Sequence, residues 1–588
     1  MLDFVRPSWY GAGMAHLHKK IKKGRPYYYV REMARVDGKP KVVNQVYIGS
    51  VDRILSLAAN APRGEEIVRL QAQEFGALWL ANHIESKVGL ANIIDAIFPE
   101  TRNQEGPSIG EYFLYCVFNR MVDATSKRAL PDWFKSTAIQ HIRPVKTDAL
   151  NSQRFWKQWE HVGEADLEAI AKALFRRLAE LEPPRSDCFM FDTTNYFTYM
   201  ASDTQSDLAK RGKNKDGKDW LRQIGLALLV ERDTRLPLFY SVYEGNRHDS
   251  KVFASVLDSM SKAMIDTAPD TNKLTMVFDK GMNAEENIAS IDSRERLGFV
   301  TTYSTYFAEE LAQVDRARFA YVDTPRNRRL KEAGRSDDLL LAWRTKGEFW
   351  GLERTVVVTY NPLTASKQRY SFDRKLEELQ QELYGMRAKF RGQKAQWKSE
   401  QQFRKRYAEI CRALYLPDDL YDLEFSTKNG DPHMGFRKNH YRIGKQVNKF
   451  GKNIIITDRH AWSTDEIVQA SLDRYAVEEA FRQSKDHDLV GVMPVRHWTD
   501  SKIRCHLFCC VAALAFLRLI DLQLKRAEVD MTAASAMREL HRLHSCLVWS
   551  KSHGKPKRII EEPTEIQAKI LKAFGQEISS GVLHEMKM

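Results

Sequence analysis

Apolar positions along the chain fall into three successive rhythms. In 1–51 the pattern is β-rich: 27–36 and 41–48 read as strands joined by Asp37-Gly38, a hairpin signal. In 52–182 the spacing changes to three and four, predicting helices over 67–80, Ile109–Val122 and 165–181. Ser108, followed three residues later by Glu111, marks a helix start.

At Pro183-Pro184 the pattern turns to strands. The apolar run 188–191 ends in Asp192-Thr193-Thr194, and 224–230 and 236–242 form an antiparallel pair. Between them 210–218 is a basic loop. A helix over 250–264, a strand over Leu274–Phe278 ending in Asp279-Lys280-Gly281, a helix over 285–291 and a strand over 298–302 follow. The first three strands can form a meander, and the fourth can reach the first by a right-handed crossover. Asp192 and Asp279 then close neighbouring strands on the same side. This α/β unit, 183–302, is interrupted by 303–455, where 339–343 and 354–360 read as strands and 373–414 as charged helix broken near Gly385 and Gly392. A strand over 454–457 returns to the unit's second part, 456–510. The helical region 511–588 contains a basic stretch at 551–558 and a closing amphipathic helix over 564–574.

The second part carries S-L-D-R-Y-A-V-E-E-A-F-R-Q-S-K at 471–485, which has no Pro or Gly and sorts as one helix. With Arg474 at zero, Glu478 falls at about 40°, Arg482 at about 80° and Lys485 at about 20°. One carboxylate is thus flanked by three cations on a half-buried face, an arrangement that pairs a metal ligand with phosphate contacts. The plainer reading is an amphipathic helix with Arg474–Glu478 and Glu478–Arg482 ion pairs.

Composition narrows the choice. At 588 residues and 68.0 kDa the chain has material for three or four domains. A hydrophobic content of 43% argues against disorder, and a net charge of +14 fits a polyanionic partner or simply solubility. The run H-L-H-K-K-I-K-K-G-R-P, with Lys19, Lys20, Lys22 and Lys23, is a basic arm for DNA phosphate or a solvated tail. The stretch 507–517 is too short to span a bilayer, and no secretory signal is visible. Seven scattered cysteines fit a reducing cytoplasm. Cys505, His506, Cys509 and Cys510 lack the second ligand pair of a zinc site.

Three acids and a basic helix suit phosphodiester chemistry. Two Mg²⁺ ions about 3.5–4 Å apart can deprotonate water, neutralise the phosphate and stabilise the leaving oxygen. Two or three carboxylates suffice to hold them. Asp192 would bridge the ions, with Asp279 and Glu478 each completing one.

Arg474, Glu478 and Lys485 stand at the last three positions of a Tyr-x2-Arg-x3-Glu-x6-Lys signature, with Ser471 at the tyrosine position. F-M-F-D-T-T at Asp192, M-V-F-D-K-G-M at Asp279 and E-G-N-R-H-D-S at 244–250 accompany it. On these motifs the chain resembles insertion-sequence DDE transposases with a β-rich insertion before the third acid. The resemblance implies a ribonuclease-H-like core interrupted by an insertion, Mg²⁺ dependence with Mn²⁺ as a substitute, and Asp192, Asp279 and Glu478 as catalytic metal ligands. It also implies double-stranded terminal inverted repeats and target DNA as partners, a homodimer or higher synaptic oligomer, and a bacterial or archaeal cytoplasm. In related enzymes a tryptophan of the insertion handles a flipped base; Trp343, Trp350, Trp397 and Trp462 are the candidates. A nuclease of the same fold without strand transfer and a non-catalytic DNA-binding derivative are the alternatives, although the latter would be marked by a missing acid.

Overall fold

The computed structural model describes the chain except 1–13, 23–24, 37–38, 51–66, 100–105, 202, 213–216, 391–398, 429–430, 488, 552–554 and 587–588. Lys23, Asp37-Gly38, Gly392 and Trp397 therefore lie outside the described residues. The architecture is mixed α/β. Strands β1 (Met14–Lys22), β2 (Arg25–Val36) and β3 (Lys39–Ser50) form an antiparallel sheet in that order. The basic run is thus a strand of this sheet over most of its length.

The helix expected over 67–80 is corrected in its first half. Ile67–Glu74 is a strand, β4, because it pairs antiparallel with His544–Ser550, a partner no local pattern reveals. Helix α1 (Gly76–Val88) begins only where the chain closes on Leu540. A Cβ at Gly76 would stand 2.5 Å from the Leu540 carbonyl oxygen, so only glycine fits. The buried Glu74 carboxylate accepts from Ala77 N at 2.9 Å and satisfies an amide that the helix leaves open. Helices α2 (Ile109–Val122), with its Ser108–Glu111 capping box, and α3 (Glu164–Leu181) follow.

The central sheet holds β5 (Cys188–Thr198), β6 (Arg222–Glu231), β7 (Pro237–Glu244), β8 (Leu274–Phe278), β9 (Leu297–Tyr303), β10 (Leu341–Phe349), β11 (Leu352–Tyr360) and β12 (Lys452–Thr457). Their order is β10-β11-β12-β9-β8-β5-β6-β7, with two-residue strands at both edges. β5, β6 and β7 are an antiparallel meander; β8 is parallel to β5, and β9 to β8. The crossover from β7 to β8 runs through α4 (Asp249–Thr267), and α5 (Glu285–Asp292) joins β8 to β9. Within 303–455, β10 and β11 extend this same sheet. Helices α6 (Pro362–Phe390) and α7 (Glu400–Leu414), with the hairpin of Tyr421–Lys428 and Asp431–Lys438, build a core of their own. α6 passes through Gly385 unbroken.

Alternation gives the sheet two apolar faces. Phe189, Phe191, Phe278 and Phe299 pack with α4 and α5. Met190, Leu228, Val277 and Val300 pack with α1–α3, α9 (Tyr475–Lys485) and α10 (Asp500–Arg526). α10 is long and apolar enough to cross a membrane, and here its apolar residues form the middle of this core. All seven cysteines are buried free thiols.

Candidate active site

β5 and β8 run in parallel with Cys188 opposite Thr275 and Met190 opposite Val277. Carried on, that register sets Asp192 level with Asp279 on the adjacent strand, about 4.8 Å away across the sheet. Both fall on the face covered by α9. Asp192 does not close its strand, as the sequence pattern suggests. β5 runs on to Thr198 because β6 pairs with it from Phe189–Glu231 to Thr198–Arg222. Asp279 does follow the last residue of β8. β9 lies on its other side with Thr301 opposite Phe278, so Thr302 stands level with Asp279, and its hydroxyl donates to Asp279 Oδ1 at 2.7 Å.

The third acid arrives on a helix that is not continuous. α8 (Thr464–Asp473) ends before Arg474 and α9 starts after it. The Val477 amide donates to the Arg474 carbonyl at 3.1 Å, the tight turn of a helix start. The break aims the Arg474 side chain at the sheet. Its Nη1 lies 2.7 Å from Asp279 Oδ1, and its Nη2 donates to Glu478 Oε1 at 3.0 Å. Burial works against the Arg474 charge, but Asp279, then Asp192 and Glu478, outweigh it and push its pKa up. One guanidinium therefore feels all three acids. Burial likewise raises the Asp279 carboxyl, yet Arg474, the Thr302 hydroxyl and the Lys280 amide hold it below the usual carboxylate range.

The other expected site residues divide. Lys485 stands over β5 four residues beyond Asp192, its Nζ 5.9 Å from the ring of Tyr196, whose hydroxyl shares a 2.6 Å hydrogen bond with Ser484. Arg482 is set apart. The expected Glu478–Arg482 pair is absent, and Arg482 instead donates to Glu479 from Nε at 2.9 Å and Nη2 at 2.5 Å. Tyr475 donates to the same carboxylate at 2.8 Å. Glu478 and Arg482 share one helix, and the pair fails because Arg482 turns to Glu479, three residues before it; the break at Arg474 changes the phase only for residues before it. Ser471 lies on α8, before that break. Lys19, Lys20 and Lys22 lie on β1, in a sheet separate from the central one. Trp343 stacks under Arg318, Trp462 under Arg459, and Trp350 packs on Phe299 and Tyr303; all three are partly buried. Tyr306 and Phe307, shortly after Thr302 in the chain, are strongly exposed rings.

Sequence reasoning missed three supporting residues. The Thr193 amide donates to Asp192 Oδ1, and the Thr193 hydroxyl donates to Asp249 Oδ1, both at 2.8 Å. Asp249, first residue of α4, also borders Gly281 in the turn after Asp279. It thus touches the segments after both aspartates, from the opposite face. An acid at a helix start in E-G-N-R-H-D-S was the available signal.

Among the described residues no three acids or imidazoles stand close enough to hold an ion by themselves. The Arg474 guanidinium occupies the space between Asp279 and Glu478. The donor set nevertheless fits a hard divalent cation: it offers carboxylate oxygen alone, already gathered around one positive charge.

Residues 198–516 match the family model described as Transposase DDE domain, a stretch that includes Asp279 and Glu478 and begins after Asp192. No curated protein matches the chain. The solved piggyBac transposase synaptic complex with hairpin DNA is similar over 79% of this chain and 78% of that one, with 9% identity and a TM-score of 0.35, too low to carry an argument.

Proposed function

The chain belongs to the Transposase DDE domain family, and on that footing we propose that it binds terminal inverted repeats, cleaves DNA at them and joins the freed end to target DNA. The observation that carries this reading is the gathering of Asp192, Asp279 and Glu478 about the Arg474 guanidinium. The order β9-β8-β5-β6-β7, with a parallel half and an antiparallel meander, supports a ribonuclease-H-like core.

Asp192, Asp279 and Glu478 would hold two Mg²⁺ ions, or Mn²⁺ in their place, which supply charge neutralisation and a deprotonated water or 3′-hydroxyl. The chain's own residues prepare that site. Thr302 and the Thr193 amide each hold one oxygen of an aspartate and so fix the carboxylate planes. Arg474 offsets part of the acids' charge in the free protein. When a phosphodiester enters, its planar fork exchanges Asp279 and Glu478 for phosphate oxygens, a partner it matches in two bonds. Lys485, held beside Tyr196, supplies a second cation along the strand path. Glu479, occupied by Arg482 and Tyr475, takes no part in binding metal. Arg482, 73% exposed, is left to contact DNA outside the acid cluster. The acting form is a homodimer or larger synaptic assembly, as joining two ends requires.

The test is a joining assay. Purified protein, a labelled duplex carrying the element's end and a supercoiled target plasmid are incubated with Mg²⁺. Covalent transfer of label to plasmid is the expected result. Nicked or cut ends without transfer would assign a nuclease instead, and binding without either would assign a non-catalytic protein.

A further inference from the structure

We propose that the β1–β3 sheet reads duplex DNA by laying one of its two faces in the major groove. The inference rests on the transposase reading and adds where the DNA end is recognised. In sequence, the lysines of the first basic run are equivalent; in the sheet they are not. His18 and Lys20 point to one face, Lys19 and Ile21 to the other. The register sets Lys20 opposite Tyr27 and His18 opposite Tyr29. Across the second pairing, Tyr29 stands opposite Tyr47 and Arg31 opposite Gln45. Side-chain contacts agree: the Tyr29 and Tyr47 rings are 5.0 Å apart, and Arg31 Nε donates to Gln45 Oε1 at 2.6 Å. The first face is therefore aromatic, amide and cationic. The second carries Val30 opposite Val46, with Ile21 and Lys19.

Three properties fit the cationic face to a duplex. Counted over both faces, β1 and β2 hold three Lys or Arg each and β3 two, against Glu32 as the single acid, and the register gives Lys20 and Arg31 to this face, which suits a polyanion. Three strands span about 10 Å between their outer axes, and the major groove is about 12 Å wide. Arg31 and Gln45 are side-chain types that read guanine and adenine edges by paired hydrogen bonds. Their mutual bond holds both out from the same face before DNA arrives. Lys20, at the rim strand, is placed for phosphate. None of the described residues of β1–β3 belongs to the three apolar cores, so this sheet is not committed to holding the body together.

The test uses the full chain in chelator, so that binding is read without cleavage. Wild type is first used to select its preferred sequence from a random duplex library. Affinity for that duplex, a scrambled duplex and the matching single strand is then measured across a salt series. Arg31→Ala and Gln45→Ala should each lower preference for the selected duplex roughly ten- to hundredfold. Arg31→Lys should lose that preference while keeping affinity for the scrambled duplex. Lys20→Ala should weaken both duplexes alike and flatten the salt slope by about one ion. Lys19→Ala should leave preference and slope as in wild type. Equal losses for Lys19→Ala and Lys20→Ala, unchanged preference in the Arg31 variants, or tighter binding to the single strand would each overturn the inference, with transposase activity untouched. Wild type that binds no duplex at all would overturn the transposase reading with it. Melting curves identify any variant that fails to fold, and Arg31→Lys then carries the decision.

Discussion

Without the Arg474 guanidinium, three carboxylates would face one another with no cation among them. Arg474→Ala should therefore bind divalent metal more tightly than wild type in the absence of DNA, because its competitor for the acids is gone. The same variant should cleave end DNA about a hundredfold more slowly, having lost its phosphate contact. Metal titration followed by calorimetry and a cleavage time course would read the two effects separately; weaker metal binding would contradict the account. A pH dependence follows as well. Asp279 is held below the ordinary carboxylate pKa of about 3.9, so its pairing stabilises the fold fully above that value and is lost as pH falls through the lower folded one. The melting difference between wild type and Arg474→Ala should be constant near neutrality and shrink below about pH 3.9. At this scale Asp192 and Asp279 were legible because each follows an apolar run, and Glu478 because of its spacing from Arg474 and Lys485. Thr302, Thr193 and Asp249 were not, since their bonds join strands and helices far apart in sequence and leave no periodic trace.

Asp249 shows how an element transmits position to the site. It is the first residue of α4 and is linked to Asp192 through Thr193. Asp249→Ala and Thr193→Ala should each slow cleavage roughly fivefold, the worth of about 1 kcal/mol for one hydrogen bond. The double variant should lose no more than either alone, and Asp249→Asn, which keeps the acceptor, should stay near wild type. Additive losses in the cycle would remove the link. Glu74, at the join of β4 and α1, makes a prediction about stability. Burial pushes its carboxyl up to about 8 despite the Ala77 and Leu78 amides. The folded state then holds this proton more tightly than the unfolded one, so stability should fall as pH rises from about 4.5 to about 8. Glu74→Gln should remove that part of the slope, and its melting temperature relative to wild type should climb over this range and level off above it. A flat difference would show that Glu74 is ionised in the fold. β4 also marks where element reading failed. Its apolar residues fit a helical spacing, and only the distant strand His544–Ser550 decides otherwise. The unbroken helix drawn through Arg474 failed similarly, because a composition without Gly or Pro does not reveal a change of axis.

Over the whole molecule, the meander and the parallel strands were readable because each strand is a short apolar run with turn residues beside it. How far the sheet extends was not, since β10 and β11 join it from within the expected insertion through pairings set by β12. Nor did local pattern show that α10 packs into one core with α1–α3, which precede it by more than three hundred residues, and with α9. The fold's consequence is that residues at 192, 279 and 478 meet around a single guanidinium, and the central claim is that they act together on a metal-dependent site. The most direct measurement is cleavage of a labelled transposon-end duplex by wild type, Asp192→Asn, Asp279→Asn, Glu478→Gln and Glu479→Gln, each with and without Mg²⁺, alongside binding of the same duplex. Wild type should cleave only with the metal, the first three variants should lose cleavage while retaining end binding, and Glu479→Gln should cleave substantially. Full activity in any of the first three variants, or wild-type cleavage in chelator, would show that the three acids do not form one metal-dependent site.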